Sequence, residues 1–502
     1  MSPITIDTTV KEILTTRVYD VASKTPLDWA AKLSAQIGCN VYLKREDLQP
    51  VHSFKLRGAY NKIAQLSQKE QASGIIAASA GNHAQGVALA AKRLGISALI
   101  IMPRTTPGIK IDAVKSYGAE VELAGDSYSE AAEYCKKRVA KTGRTYIHPF
   151  DDPLVIAGQG TIGQEIIEQQ PGVTHIFVPV GGGGLIAGIA SYVKAVRPDV
   201  KIISVEPQDS NAMQLSVASG ERVVLPHVGI FADGVAVKQV GEETFRIARD
   251  KVDDFITVTT DEICAATKSM FEDTRSIVEP AGALAIAGIV TYGLPKNARP
   301  VAICSGANMT FERLQQVAER TLIGSGKEAV FAVSLPEQPG ALRKFCTDIV
   351  NGHNINEFSY RLSSRHHAHV LVGLTTSSAR DKQTLIHKMA LHHYDNSDLS
   401  GDDITKEHLR HMIGGPSGHA VDEHMYEITF PERPRALADF LTAVGDEWNI
   451  SLFHYRSAAS DQGSVLIGFE SSERKKLETN LAASGFTYTR LDQNKGVQLF
   501  VQ

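Results

Sequence analysis

The chain has 502 residues, too many for one hydrophobic core, so two or three domains are expected. A net charge of −4 offers no basic surface to nucleic acid, and 43% hydrophobic with 22% charged residues is the make-up of an ordinary globular protein. No stretch is apolar for long enough to span a bilayer, and Met1-Ser2-Pro3-Ile4-Thr5-Ile6-Asp7 has neither the order of a secretion signal nor the arginines of an organelle leader, so a cytoplasmic location is expected.

Between about residues 20 and 320, short apolar runs alternate with longer helical stretches. Strands are expected at 41–44, 75–78, 98–102, 120–123, 176–180 and 202–205, with a helix over 84–94. Strands separated by helices predict βαβ units and a largely parallel sheet covered on both faces. A helix over 311–321 then runs into Ile323-Gly324-Ser325-Gly326-Lys327-Glu328, and its Gly-Ser-Gly reads as a neck between domains over 323–329.

Beyond the neck the chain repeats itself. Phe331-Ala332-Val333-Ser334-Leu335-Pro336-Glu337-Gln338-Pro339 lines up with Tyr426-Glu427-Ile428-Thr429-Phe430-Pro431-Glu432-Arg433-Pro434, 95 residues on. The same shift pairs Ala341-Leu342 with Ala436-Leu437, Phe345 with Phe440 and Asn354-Ile355 with Asn449-Ile450. It also pairs Phe358-Ser359-Tyr360-Arg361 with Phe453-His454-Tyr455-Arg456. Each copy is expected to begin strand, turn, helix, strand, within 330–405 and 425–502. The polar, glycine-rich stretch 395–424 reads as a connector with at most one helix.

Four segments ahead of the neck carry chemistry. Ser53-Phe54-Lys55-Leu56-Arg57-Gly58-Ala59 sets one lysine between an aromatic residue and a small glycine-containing turn, just ahead of a helix. A lysine held at an apolar turn can lose its proton and attack a carbonyl. Ser79-Ala80-Gly81-Asn82-His83 supplies hydroxyl and amide donors before a helix, and reads either as an anion site or as an ordinary N-cap. Val178-Pro179-Val180-Gly181-Gly182-Gly183-Gly184-Leu185 reads as a strand feeding a loop whose N–H groups converge on one anion, at the start of a helix that favours negative charge. Cys304-Ser305-Gly306-Ala307-Asn308 follows an apolar strand, and is either a ligand loop at the carboxyl end of that strand or a plain β–α turn. An imine-forming lysine together with a phosphate cradle is what pyridoxal phosphate needs.

Other signals point elsewhere or nowhere. Gly158-Gln159-Gly160-Thr161-Ile162-Gly163 fits the dinucleotide pattern, but no acid follows about twenty residues on, so it reads as a close-packed helix start. The five cysteines are scattered, with no C-x-x-C, which predicts reduced thiols. His366, His367 and His369 crowd together without partners at metal spacing, and no metal site is expected.

Together these segments resemble the fold type II, tryptophan-synthase-β-like pyridoxal-phosphate enzymes, and within them the biosynthetic threonine dehydratase family. The resemblance covers nearly the whole length. It rests most on Lys44-Arg45-Glu46-Asp47-Leu48-Gln49, the Lys55 segment, residues 79–86 and 181–185, Val278-Glu279-Pro280-Ala281-Gly282, and residues 304–308. It implies a two-lobed α/β catalytic domain over 1–322, built of mostly parallel sheets with flanking helices, and then an α+β tandem ACT-like regulatory domain.

The resemblance also implies pyridoxal 5'-phosphate on Lys55, with Phe54 packed beside its ring and Asn82 on its phenolic oxygen. Gly181, Gly182, Gly183, Gly184 and Leu185 would bind the phosphate, and Ser305 would meet the pyridine nitrogen. Ser79, Gly81 and His83 would lie near the substrate carboxylate. The implied reaction turns L-threonine into 2-oxobutanoate and ammonia, the first committed step of isoleucine biosynthesis, in a homotetramer inhibited by isoleucine and relieved by valine. Serine dehydratase, serine racemase and a non-catalytic amino-acid sensor are the alternative readings. Tyr360 and Tyr455 read either as effector contacts or as strand-core aromatics. Gly340 in the first copy is Arg435 in the second, so the two copies need not bind effector equally.

Overall fold

The computed structural model describes residues 8–350, 352–412, 414–431, 435–456 and 462–501. The N-terminal heptapeptide discussed above, and Glu432, Arg433 and Pro434 of the second repeat, lie outside the described residues. The chain divides into two compact units, Met1–Thr321 and Leu322–Gln502.

The strands of the first unit are β1 (Leu27–Trp29), β2 (Tyr42–Arg45), β3 (Ile75–Ala78), β4 (Ala98–Met102), β5 (Glu120–Leu123), β6 (Thr145–Tyr146), β7 (His175–Pro179), β8 (Lys201–Pro207), β9 (Asp254–Val258) and β10 (Pro300–Cys304). They form a six-stranded sheet in the order β1-β2-β10-β7-β8-β9 and a four-stranded sheet in the order β5-β4-β3-β6. β1 pairs antiparallel with β2, and the other pairings are parallel. β3, β4 and β10 are buried along their whole length, as sheets covered on both faces require. The Asn82–Leu94 helix starts two residues before the expected 84–94, because Asn82 and His83 form its first turn.

Two glycine readings are corrected. Gly58 is not in a turn but inside the helix Lys55–Ala64, where a Cβ would stand 2.5 Å from the Gln159 side chain and 2.7 Å from the Val155 carbonyl. Residues 158–163 are not a helix start but the interior of the helix Pro153–Gln169. A Cβ on Gly158 would stand 2.7 Å from the Arg57 carbonyl and from Gly58 Cα, and one on Gly160 2.9 Å from the Gly188 carbonyl. The stripe therefore brings this helix into backbone contact with the helices Lys55–Ala64 and Gly184–Val196.

Charge reinforces that packing. Arg57 pairs with Glu46 at 2.8 Å and Glu165 at 2.6 Å, and Lys44 with Glu165 at 2.5 Å, all four side chains fully buried. The hydroxyls of Tyr19 and Thr25 donate to Glu165 and Glu46 at 2.8 and 2.6 Å. Each remaining carboxylate lone pair thus finds a donor, which a buried ion cluster needs to offset its desolvation.

In the second unit β11 (Glu328–Pro336), β12 (Ile355–Arg361), β13 (His367–Thr375), β14 (Asp395–Asp398), β15 (Glu423–Pro431), β16 (Asn449–Arg456), β17 (Gln462–Glu470) and β18 (Thr487–Arg490) form one eight-stranded sheet. Its order is β14-β11-β13-β12-β16-β17-β15-β18, antiparallel throughout. The two repeats meet where β12 pairs with β16, and Ser359 lies opposite His454, its own equivalent in the repeat. The copies are therefore related by a local two-fold axis through that pair. Phe358 and its equivalent Phe453 meet edge to face beside the axis, ring centres 5.3 Å apart.

The connector reading of 395–424 is corrected at its start. Asp395–Asp398 is an edge strand paired with β11, the counterpart of β18 in the second copy. Its sequence, Asp395-Asn396-Ser397-Asp398, carries no apolar alternation, so only tertiary pairing reveals it. All five cysteines are buried and free of disulfides. Among the described residues no helix is long and apolar enough to cross a membrane.

Candidate active site

Three strands deliver the site at their carboxyl ends, where ligands gather in parallel sheets. β3 ends at Ala78 ahead of Ser79, β7 at Pro179 ahead of the four glycines, and β10 at Cys304 ahead of Ser305. The Lys55 segment is zipped onto the last of these. Ser53 bridges Gly306, the Phe54 N–H donates to the Ser305 carbonyl at 3.2 Å, and the Ala307 N–H donates to the His52 carbonyl at 2.9 Å. A cavity of about 370 Å³ opens between these loops. Lys55, Phe54, Ser79, Gly81, Asn82, His83, Gly181, Gly182, Gly183, Gly184, Leu185 and Ser305 all line it.

Lys55 opens its helix directly after Phe54, and its Nζ donates to the Pro149 carbonyl at 3.1 Å. Nζ also stands 5.2 Å from the centre of the Phe54 ring. Loss of water around the amine disfavours its charge, the Glu279 carboxylate opposes this, and the pKa falls to about 8. Nε2 of His83 lies 2.9 Å from the Ile147 carbonyl, which can only accept, so Nε2 carries the hydrogen. Nδ1 of His83 is then a bare acceptor, buried and unpartnered among the described residues. Burial and the Lys55 charge push this imidazole down to about 3, so it stays neutral.

The glycine loop has the form of an anion cradle. Gly183 has φ +94°, and a Cβ there would meet Met213 Cε at 2.5 Å; one on Gly182 would meet the Phe150 ring at 2.2 Å. Thr244 Oγ1 donates to the Gly182 carbonyl at 2.7 Å. Among the described residues the N–H groups of residues 181–185 have no acceptor, no side chain caps the helix Gly184–Val196, and no acid stands in its first turn. An uncapped helix start of this kind takes a phosphate. Ser305 presents a hydroxyl, not a carboxylate, and donates it to the Ala281 carbonyl at 3.3 Å. Phosphate cradle, depressed lysine and hydroxyl together fit pyridoxal phosphate.

The structure adds residues to which sequence reasoning gave no role. Glu279, Asn308, Lys110 and Asp233 line the same cavity. Lys110 pairs with Asp233 at 2.7 Å. Glu279 and Asn308 stood inside segments already singled out, but neither spacing nor residue type marked them. Lys110, Asp233 and Thr244 stood in no motif at all. Ser79 lines the cavity two residues ahead of the N-cap, which is Gly81, and its Oγ accepts from the N–H groups of Gly81 and Ala84 at 3.3 Å.

A smaller cavity of about 50 Å³ lies between the repeats of the second unit, lined by Glu337, Arg343 and Tyr360 from one and by Val444, Asp446 and Asn449 from the other. The Tyr360 hydroxyl donates to Glu337 at 2.5 Å, and Asn449 Nδ2 donates to the other oxygen of Glu337 at 2.9 Å. Tyr455, buried with Tyr360 in the shared apolar core and opposite Phe358, is not among the residues that line this cavity.

Residues 18–306 match the family described as pyridoxal-phosphate dependent enzyme, and residues 319–409 and 415–501 match the C-terminal regulatory domain of threonine dehydratase. The chain is 49% identical over 501 residues to the biosynthetic L-threonine dehydratase IlvA of Burkholderia multivorans, covering 98% of this chain and 99% of that protein. It is 52% identical over 483 residues to the chloroplastic biosynthetic threonine dehydratase of Arabidopsis thaliana, covering 95% and 81%. Among solved structures, the processed form of threonine deaminase isoform 2 from Solanum lycopersicum matches with a TM-score of 0.61 and 51% identity, covering 62% of this chain and 87% of that one.

Proposed function

The chain belongs to the pyridoxal-phosphate-dependent threonine dehydratases, and from that membership we propose that it converts L-threonine to 2-oxobutanoate and ammonia, with Lys55 carrying the cofactor. The observation behind this assignment is a lysine amine depressed to about 8 on the same cavity as an uncapped helix N-terminus. The N–H groups of residues 181–185 would hold the phosphate, each such bond contributing about 1.5–3 kcal/mol. Asn82 would donate to the phenolic oxygen, Phe54 would pack beside the ring, and the Ser305 hydroxyl would face the pyridine nitrogen. A hydroxyl there lets that nitrogen stay neutral, which favours loss of a β-substituent over transamination.

When bound, pyridoxal phosphate supplies an electron sink for negative charge at the substrate Cα. Lys55 Nζ, as the free base, takes the Cα proton. The same Nζ then gives a proton to the departing β-hydroxyl, which leaves as water. Ser79, Gly81 and His83 would lie near the substrate carboxylate, to which the Ser79 hydroxyl can donate. The released unsaturated amine tautomerises to an imine, which takes up one water and breaks its C–N bond to give 2-oxobutanoate and ammonia; serine, one methyl group smaller, would give pyruvate.

The second unit supports inhibition by isoleucine, opposed by valine. Glu337 beside the apolar Val444 offers a negative charge for the ammonium of one aliphatic amino acid, and Arg343, paired with Asp446, stands on the same cavity where a carboxylate would compete for it. Tyr360 is the effector candidate on this cavity; Tyr455 is its counterpart through the two-fold repeat and lies in the apolar core. A cytoplasmic homotetramer, with domains 1–322, 330–405 and 425–502 around the 323–329 neck, completes the reading. A threonine assay with and without isoleucine tests it: 2-oxobutanoate should form, isoleucine should suppress it, and valine should restore it. No 2-oxobutanoate from threonine would remove the assignment. Lys55→Ala should abolish turnover.

A further inference from the structure

Glu279 is a buried acid that no step above uses. It precedes the helix Pro280–Tyr292 but does not cap it, and Pro280 removes one of the N–H groups it could have served. It is 2% exposed, and Gly306 leaves it space: a Cβ there would stand 2.5 Å from Glu279 Oε1. Its direct partners among the described residues are amides. Asn82 Nδ2 donates to Oε1 at 2.6 Å, and the Asn308 backbone N–H adds a second donor. Asn308 Nδ2 in turn donates to the Val51 carbonyl at 2.8 Å and to Asn82 Oδ1 at 2.7 Å.

This chain of bonds has one sense only. The Val51 carbonyl can only accept, so the Asn308 amide nitrogen must face it and Asn82 Oδ1. Asn82 therefore turns its NH2 away from Asn308, toward Glu279 and the cavity. One of its two hydrogens goes to Glu279, and the other has no acceptor among the described residues. Resting on the cofactor assignment above, we propose that Glu279 and Asn308 are positioning residues that lock the Asn82 amide with a free N–H aimed into the cleft, at the oxygen it is to meet on the cofactor.

Burial, then Asp233, raise Glu279 to about 7, against the Asn82 and Asn308 hydrogen bonds and Lys110, while the Lys55 amine feels the same carboxylate. The lock itself does not need the charge. An amide oxygen in the same place accepts as well, so Glu279→Gln should keep the geometry that Glu279→Ala destroys.

Equilibrium binding of pyridoxal phosphate to the apoprotein, followed by absorbance across pH, tests the lock without turnover. Glu279→Ala should bind at least about tenfold more weakly, with a changed chromophore spectrum, and Glu279→Gln should stay within about threefold of the wild type. Affinity and spectrum unchanged in Glu279→Ala would overturn the proposal, and so would equal losses in Ala and Gln. If Glu279→Ala does not fold, Asn308→Asp carries the test. The introduced carboxylate opposes Asn82 Oδ1 and turns the amide round, so the same loss is expected, and unchanged binding would again overturn the lock. Failure of the wild type to bind pyridoxal phosphate would instead remove the cofactor assignment.

Discussion

The amine of Lys55 titrates at about 8 because its burial outweighs the pull of Glu279. Only the free base attacks an aldehyde. Capture of pyridoxal phosphate by the apoprotein should therefore quicken about tenfold per pH unit below 8 and level off above it, as stopped-flow absorbance would record; a rate still climbing steeply to pH 10 would contradict this environment. Gly183→Ala forces a side chain into φ +94° and against Met213 and Thr244. It should cost about 1–3 kcal/mol of stability and weaken phosphate binding, measured by denaturation and cofactor titration. Glu279 carries a pH signature of its own. Its folded pKa lies above the unfolded value of 4.5, so the folded apoprotein holds the extra proton, and stability falls as pH rises from about 4.5 to 7. Glu279→Gln lacks that slope. Relative to the wild type it should gain stability across this window, by roughly 2–3 kcal/mol at most.

Packing between helices decides where Lys55 sits. Gly158→Ala would drive a Cβ into the Arg57 carbonyl and Gly58 Cα. A cost of about 1–3 kcal/mol is expected, together with weaker cofactor binding, since the displaced helix begins at Lys55. Glu165→Gln leaves Arg57 and Lys44 without their shared buried counter-charge and should cost about 3–5 kcal/mol in urea denaturation. These contacts mark the limit of what the chain discloses before it is folded. The strands at 75–78, 98–102 and 120–123 were legible because their apolar runs are short and bounded by turn residues. Gly58 and residues 158–163 were misread because glycine speaks equally for turns and for close helix contacts, and only the facing helix decides. The strand Asp395–Asp398 was hidden by its polarity. In the site, the segments at 53–59, 79–83, 178–185 and 304–308 were legible from local pattern, whereas the cavity-lining residues Pro149, Phe150 and 233–237 were not. Glu279, Asn308, Lys110 and Asp233 were not assigned, because their partners lie on other loops and no spacing connects them.

At the scale of the whole molecule, a catalytic unit and a regulatory unit share one chain, and the regulatory unit is internally two-fold. Effector bound only to the folded form stabilises it by mass action. Isoleucine should therefore raise the unfolding temperature of the second unit in calorimetry, and Tyr360→Phe should reduce that shift by breaking the bond to Glu337. A full shift in that variant would take Tyr360 out of the effector site. Sedimentation should find a tetramer. All of this depends on one covalent assignment, and borohydride reduction of the protein with its bound pyridoxal phosphate, followed by peptide mapping, tests it most directly. The label should appear on Lys55 alone; label on another lysine, or none, would contradict the account.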